Sequence, residues 1–370
     1  MNPERVRVLV VDDTVVYRKI ISDLLSAAPG VEVVGVASNG RIALQKCAQV
    51  RPDLLTLDVE MPEIDGLEVL RRLRDDGSPI GAIMLSAFTT QGADATIQAL
   101  KFGAFDFVVK PTSANAAENA AVLRSDLLAR IQAFARAHRT LTALKSAPAP
   151  RLAAPPASAS VAQRMQRLAA PAAAKPRVVA IGDSTGGPAA LAQMLPRLPA
   201  NLASPVRIVQ HMPPIFTRSL ADGLNDKCAR TVREAVEGEP VATGTVLIAP
   251  GGKQMKVERV NADVVVRLTA DPPENSCRPS VDYLFRSVAQ TYGGFALAVV
   301  MTGMGSDGAA GCRTLKQRGA TVLTQDEATC VVYGMPKAPA DEGLSDVIAP
   351  LDGIAAEITR LVGKEALACK

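Results

Sequence analysis

Ser184 stands in Gly182-Asp183-Ser184-Thr185-Gly186-Gly187, between the apolar run Val178 to Ile181 and a helix-like segment from Pro188 to Leu195. A serine on a sharp strand-to-helix turn is a nucleophile elbow. Flanking glycines accept strained dihedrals and push the hydroxyl outward. Backbone N–H groups at the helix start can then bind a developing oxyanion. Such a nucleophile requires a base, and the chain has only two histidines, His138 and His211. His211 is the one expected in the same folded unit as Ser184. It follows the strand-like run Val206 to Gln210, and Asp307 follows another, Phe295 to Met301. If those strands are neighbours, hydroxyl, imidazole and carboxylate converge at one sheet edge, as in a Ser-His-Asp triad. Each residue also has a plain structural reading. Ser184 fits a helix N-cap, His211 beside two prolines fits a loop residue, and Asp307 fits a cap on the helix after Gly308. The scarcity of histidine tilts the set toward chemistry.

A second constellation lies near the N-terminus. Asp12 and Asp13 end one strand-like run, Asp58 a second, Ser86 a third and Lys110 a fourth. In a parallel sheet all of these fall on one edge. Three carboxylates there make a hard-oxygen site suited to Mg²⁺, and a lysine and a hydroxyl nearby suit a phosphoryl group. One aspartate at a strand end is often a helix cap. Clustered carboxylates repel one another, which argues against a purely structural role for the set.

A rival reading uses Gly303-Met304-Gly305-Ser306-Asp307-Gly308, which matches G-x-G-x-x-G, follows a strand and opens a helix. Asp326 and Glu327 lie about twenty residues on, as in a dinucleotide site. The motif comes late, however, with too little chain after it to build the other half of such a fold. It also leaves Ser184 and His211 unused.

The elements that must carry these residues follow from the hydropathy pattern. Strands are expected at Val6 to Val11, Val31 to Ala37, Leu54 to Leu57, Ala82 to Leu85 and Phe105 to Val109. Helices are expected between them, the last from about Glu118 to Arg139. That alternation predicts a doubly wound, five-stranded parallel sheet covered on both faces. The stretch from Ser146 to Pro176 is rich in alanine and proline and reads as a linker, with a short helix over Val161 to Leu168. The second half, from Arg177, reads as another α/β parallel-sheet domain, a hydrolase domain. Met255 to Arg259 and Val264 to Leu268 form an inserted hairpin within it. The expected organisation is 1–125, a linker with its preceding helix end over 126–176, 177–363, and a tail over 364–370.

Composition excludes several classes. No apolar run is long enough to span a bilayer, and Met1 to Arg5 lacks the pattern of a signal peptide. The six cysteines form no Cys-x-x-Cys pair, which fits a reducing cytoplasm. The net charge of +4 hides a basic centre. From 127 to 182 there are nine lysines and arginines and no carboxylate, which leaves −5 on the remainder. That basic stretch holds one aromatic, Phe134, so it reads as a solvated linker rather than a nucleic-acid surface. A DNA-binding regulator would need a helix-turn-helix after the linker, and none is visible.

Residues 5 to about 125 resemble a response-regulator receiver domain. The resemblance rests on Val10-Val11-Asp12-Asp13, Leu57-Asp58-Val59-Glu60-Met61-Pro62 with Asp65-Gly66, Ser86-Ala87, and Gly103 through Pro111. It implies phosphorylation of Asp58 by a histidine kinase. It implies Mg²⁺ managed by Asp12, Asp13, Asp58 and the Glu60 carbonyl, and Lys110 paired with the phosphoryl group. Ser86 and Phe107 occupy the family's switch positions.

Residues 177 to about 363 resemble the catalytic domain of the chemotaxis protein-glutamate methylesterases, the CheB family. The carrying motifs are the Ser184 elbow, Gln210-His211-Met212, Ala249-Pro250-Gly251-Gly252, Arg278-Pro279-Ser280-Val281-Asp282, Met301 through Gly308, and Gln325 through Thr329. The resemblance implies hydrolysis of glutamate methyl esters on chemoreceptors, and deamidation of certain receptor glutamines. Ser184 would be the nucleophile, His211 the general base, and Asp307 the group fixing its tautomer. Thr185 and Met304 would supply oxyanion-hole N–H groups. No cofactor is implied for the esterase chemistry. A cytoplasmic monomer is expected, with no nucleic-acid partner or membrane insertion and with an unphosphorylated receiver covering the active site. Two positions depart from the family: Asp183, where a small residue is usual, and Asn275-Ser276-Cys277, where a histidine is common.

Overall fold

The computed structural model describes residues 5–146 and 175–363. The expected helix over Val161 to Leu168, the rest of 147–174 and the tail from 364 lie outside the described residues. The chain divides into two compact units, Met1–Ser146 and Ala147–Lys370.

The first unit alternates strictly. It runs β1 (Val6–Val11), α1 (Val15–Ser26), β2 (Val31–Ala37), α2 (Gly40–Val50), β3 (Leu54–Asp58), α3 (Gly66–Asp75), β4 (Gly81–Ser86), α4 (Thr90–Lys101), β5 (Asp106–Val109) and α5 (Ala116–Ser146). The sheet is parallel, in the order β2-β1-β3-β4-β5. The central strands are largely apolar runs because helices cover both faces, with Arg7 in β1 and Thr56 in β3 as the polar interruptions. Val8, Leu9, Val10, Leu54, Leu55 and Leu57 are all fully buried. Short-range chemistry sets the helix starts. The side chains of Asn39, Asp65 and Thr89 cap α2, α3 and α4, accepting from Ile42 N–H (2.9 Å), Glu68 N–H (2.8 Å) and Gly92 N–H (2.9 Å). Helix α5 departs from expectation. It continues to Ser146, so residues 126–146 belong to this unit rather than to the linker. Leu123, Leu127, Ile131 and Phe134 bury one of its faces in the core, and Phe134 meets Phe105 edge-on at 5.3 Å.

The second unit contains β6 (Val178–Asp183), α6 (Gly187–Met194), β7 (Val206–Gln210), α7 (Phe216–Asn225), β8 (Thr231–Glu234), β9 (Thr245–Ile248), β10 (Gln254–Val260) and β11 (Asp263–Thr269). It continues with α8 (Val281–Tyr292), β12 (Ala296–Val300), α9 (Ala309–Gln317), β13 (Thr321–Gln325), α10 (Lys337–Asp341), β14 (Val347–Ala349) and α11 (Leu351–Val362). Seven strands form a sheet in the order β14-β13-β12-β6-β7-β9-β8, and every pairing is parallel. The expected hairpin, β10-β11, is a separate antiparallel pair, and its Met255, Val257 and Val266 share a core with Leu284, Phe285 and Val288 of α8. Strands β8 and β14 were not expected. Both are short edge strands: β8 (Thr231–Glu234) has no apolar run, and the apolar β14 is only three residues long, too short for periodicity to give a signal. After β6 the chain builds outward through β7 and later returns to β12 on the other side. That reversal opens a crevice at the carboxyl ends of β6 and its two neighbours.

Candidate active site and phosphoryl pocket

Ser184 is the first residue beyond β6. Hydrogen bonding continues past the strand ends: His211 N–H donates to the Asp183 carbonyl (3.1 Å), Met301 N–H to Gly182 (2.9 Å) and Ser184 N–H to Thr302 (3.0 Å). Three neighbouring strand ends are thereby locked together. The chain then turns through Gly186, at φ +81°, into α6. Gly186 occupies the N-cap position and no side chain caps this helix, so the cap reading of Ser184 fails. Gly303 packs directly on the elbow. A side-chain carbon there would lie 2.9 Å from Ser184 Cβ and 2.3 Å from Met335 Sδ, so only glycine lets this loop touch the serine.

His211 follows β7, and its Nε2 lies 2.7 Å from Asp307 Oδ2. Its Nδ1 faces Cys277 Sγ at 3.5 Å. Asp307 also accepts from Val281 N–H (2.7 Å), Asp282 N–H (3.0 Å), Gly308 N–H (3.1 Å), Ser280 Oγ (2.9 Å) and Asn275 Nδ2 (3.0 Å). Val281 and Asp282 open α8, so this carboxylate sits at the positive end of that helix. The reading of Asp307 as a cap for the helix after Gly308 fails, because Gly308 is the N-cap of α9 and no side chain caps it; the carboxylate instead accepts from the first N–H groups of α8, where it is held as a charge. Burial opposes ionisation, but His211 and the N–H groups of Asp282 and Val281 outweigh it and hold the carboxyl well below its usual range. Burial likewise pushes His211 down. The hydrogen bonds to Asp307 and Cys277 overcome it and raise the imidazole to about 10.

Among the described residues the Ser184 hydroxyl makes no hydrogen bond, so the expected Ser184–His211 contact is not formed in this state. The nitrogen directed away from Asp307 is Nδ1, and Cys277 sits beside it. Thr185 is buried and Met304 is exposed on the loop after β12. The Met304 N–H makes no hydrogen bond among the described residues. Sequence reasoning missed Asn275, Ser280 and Gln210 as parts of the site. Gln210 donates from Nε2 to the carbonyls of Ser184 (2.9 Å) and His211 (3.2 Å). The signals that pointed to them were the motifs Gln210-His211-Met212 and Arg278 through Asp282, which contain Gln210 and Ser280, and the unusual Asn275-Ser276-Cys277. The dinucleotide reading fails on particulars. Gly303 is spent on Ser184, and Asp326 caps a short turn, accepting from Thr329 N–H (3.0 Å) and Thr329 Oγ1 (2.6 Å).

In the first unit, β1, β3, β4 and β5 are successive neighbours, so their ends form a row. Lys110 Nζ lies 2.7 Å from Asp58 Oδ2 and 2.8 Å from Asp12 Oδ2. Asp12, Asp13 and Asp58 each place an oxygen within 4.8 Å of the others. Three hard oxygen donors at this spacing fit a magnesium ion. A pocket of about 450 Å³ opens alongside, lined by Asp13, Glu60, Met61, Asp65 and Gln91. Ser86 Oγ donates to the Gly92 carbonyl at 3.1 Å, and Phe107 is buried. Burial raises the Asp58 carboxyl to about 6, with Lys110 opposing and Asp12 and Asp13 adding to the rise. Burial works against the Lys110 charge, but Asp12 and Asp58 outweigh it and raise that ammonium.

Fold and sites together define a class, a receiver domain joined to an α/β hydrolase domain. The family profile described as response regulator receiver domain matches residues 8–121, and that described as CheB methylesterase matches 179–358. The chain is 49% identical over 362 residues to a protein-glutamate methylesterase/protein-glutamine glutaminase of Desulfotalea psychrophila, covering 97% of this chain and 99% of that one. It is 45% identical to a Trichodesmium erythraeum protein of the same name, covering 96% and 99%. The crystal structure of the Thermotoga maritima CheB methylesterase catalytic domain superposes with a TM-score of 0.50 at 41% identity, covering 51% of this chain and all of that one. The chain belongs to the protein-glutamate methylesterase/protein-glutamine glutaminase family.

Proposed function

We propose that the chain is a phosphorylation-controlled serine hydrolase that removes methyl esters from chemoreceptor glutamates and deamidates receptor glutamines. The observation that carries this reading is the 2.7 Å His211–Asp307 contact at the end of the strand beside the Ser184 elbow. Ser184 Oγ attacks the ester carbonyl while His211 Nδ1 takes its proton. Asp307, bonded to Nε2, fixes the tautomer and stabilises the imidazolium. The N–H groups of Thr185 and Met304 hold the tetrahedral oxyanion. His211 then returns the proton to the leaving group, methanol from an ester or ammonia from an amide. Water attacks the acyl-enzyme by the same route, freeing the glutamate carboxylate and Ser184.

In the receiver, Asp58 is the phosphoacceptor and a histidine kinase the donor. Asp12, Asp13, Asp58 and the Glu60 carbonyl would hold Mg²⁺, which when bound screens the incoming phosphoryl charge. Lys110 exchanges a carboxylate partner for the phosphoryl group, and Ser86 and Phe107 answer the change. No helix among the described residues is long and apolar enough to cross a membrane. The thiol-only cysteines of the described chain support a cytoplasmic site of action. The test is methanol release from methylated receptor membranes, with and without a small phosphodonor. Ser184→Ala keeping most of the activity would overturn the assignment.

A further inference from the structure

Asp183 precedes the nucleophile and is completely buried, yet neither of its carboxylate oxygens has a hydrogen-bond partner. Gln210, its register partner on β7, is 1% exposed. The orientation of the Gln210 amide is dictated by its neighbours. Nε2 faces the Ser184 and His211 carbonyls, which can only accept, so Oε1 must point the other way. Oε1 also lacks a donor. It points to the place occupied by Asp183: a side-chain carbon on Gly187 would lie 2.1 Å from Gln210 Oε1 and 2.8 Å from Asp183 Oδ1. Two buried acceptor groups thus stand beside the same backbone position at Gly187, and neither has a hydrogen-bond donor. An ionised carboxylate there would be uncompensated, and leaving such groups unpaired is strongly unfavourable. A single proton on Asp183 resolves the conflict, because the carboxyl O–H becomes the missing donor.

We propose that Asp183 is a neutral carboxylic acid that hydrogen-bonds Gln210 Oε1 and so holds the amide that bridges the carbonyls of Ser184 and His211. It is a positioning residue. It touches no substrate and sets the spacing between nucleophile and base through Gln210. Burial acts in the same direction, raising this carboxyl well above its usual range, while His211 is the charged group that opposes it. The acid therefore keeps a fixed negative charge away from the elbow. The proposal rests on Ser184 and His211 acting as nucleophile and base, although the protonation state itself does not.

The test uses the whole chain and two variants, Asp183→Asn and Asp183→Leu. Infrared difference spectra of wild type minus Asp183→Asn at neutral pH should contain the C=O stretch of a protonated carboxyl. The amide NH₂ that Asp183→Asn introduces can replace the acid as donor to Gln210, so this variant should keep kcat within about twofold. The similarly sized Asp183→Leu lacks a donor and should lose about tenfold in kcat with little change in KM. Stability gives a readout that does not depend on folding of the leucine variant. The raised carboxyl favours the folded state only below the ordinary carboxyl pKa, and that contribution is lost as pH climbs. The folding constant of wild type should therefore fall relative to Asp183→Asn by about tenfold per pH unit, until Asp183 ionises in the folded state. A carboxylate-only spectrum with a flat stability difference would overturn the proposal. Equal kcat losses in both variants would also overturn the positioning role. Failure of the esterase reading is separate, since it would appear as unimpaired Ser184→Ala.

Discussion

Asp307→Asn separates the two things this carboxylate does for His211. In the wild type, against burial, the hydrogen bonds to Asp307 and Cys277 raise the imidazole well above its ordinary value, so near neutrality the imidazolium dominates and little neutral base is present. Asparagine removes the negative charge and returns His211 toward its ordinary value of about 6.5. More of the variant then holds a neutral imidazole near neutrality. The same change removes tautomer control and imidazolium stabilisation, a loss on the order of 10²–10⁴ in rate. Above roughly pH 10 both enzymes have neutral bases, and the full deficit should show. Near neutrality the deficit should shrink, because the larger neutral fraction offsets part of it. The wild-type kcat/KM for methanol release should rise with pH toward about 10, and the variant's rise should move to the acid side. Asparagine also turns an NH₂ toward a donor-rich shell containing Val281 N–H, Asp282 N–H and Ser280 Oγ. That mismatch should lower stability by roughly 1–3 kcal/mol, checked by denaturant unfolding. Parallel pH–rate profiles, offset by a constant factor, would refute the reasoning, because they would mean Asp307 does not set the His211 charge state.

Ser184→Ala and His211→Ala should each remove nearly all activity, and the double variant should be little worse, since the pair acts as one unit; additive losses measured in the same methanol assay would contradict this. Cys277→Ala removes a contact that raises His211 and crowds Nδ1, so its kcat/KM should increase near neutrality and its rising limb should shift to lower pH. Asp58→Asn should abolish labelling by a small phosphodonor. It should also stabilise the receiver at neutral pH, because the raised Asp58 carboxyl favours folding only below the ordinary carboxyl range and that contribution is lost through about 6. For the same reason Mg²⁺ affinity, followed by titration calorimetry, should weaken as pH falls through about 6. A fragment beginning at Arg177 should hydrolyse methylated receptors faster than the unphosphorylated whole chain, and equal rates would exclude inhibition by steric cover.

Much of this protein is local and therefore readable along the chain. Buried parallel strands are largely apolar runs, so β1, β3, β6, β7 and β12 announce themselves despite single polar residues such as Arg7, Thr56 and Arg207, and the chemistry-bearing residues stand at their ends. The motifs around Ser184, His211 and Asp307 marked these residues as the candidate nucleophile, base and carboxylate before any pairing was known. The sequence could state their convergence only as a condition, because strand order is a long-range property. It took the β12-β6-β7 adjacency to place the three at one edge. Tertiary structure also decided which helix Asp307 caps, since the N-terminus of α8 lies more than twenty residues earlier in the chain. The partners Asn275, Ser280 and Cys277 reach the site through a largely exposed loop with no periodicity to announce them. Edge strands β8 and β14 exist because a neighbouring strand offers free hydrogen bonds, which hydropathy does not record. Asp183 shows the division most sharply. Its position beside the nucleophile was plain from the sequence, but whether it faced solvent, capped α6 or went into the core depended on where β7 placed Gln210. Burial beside another acceptor, a matter of three-dimensional packing alone, is what makes its protonation state a chemical question.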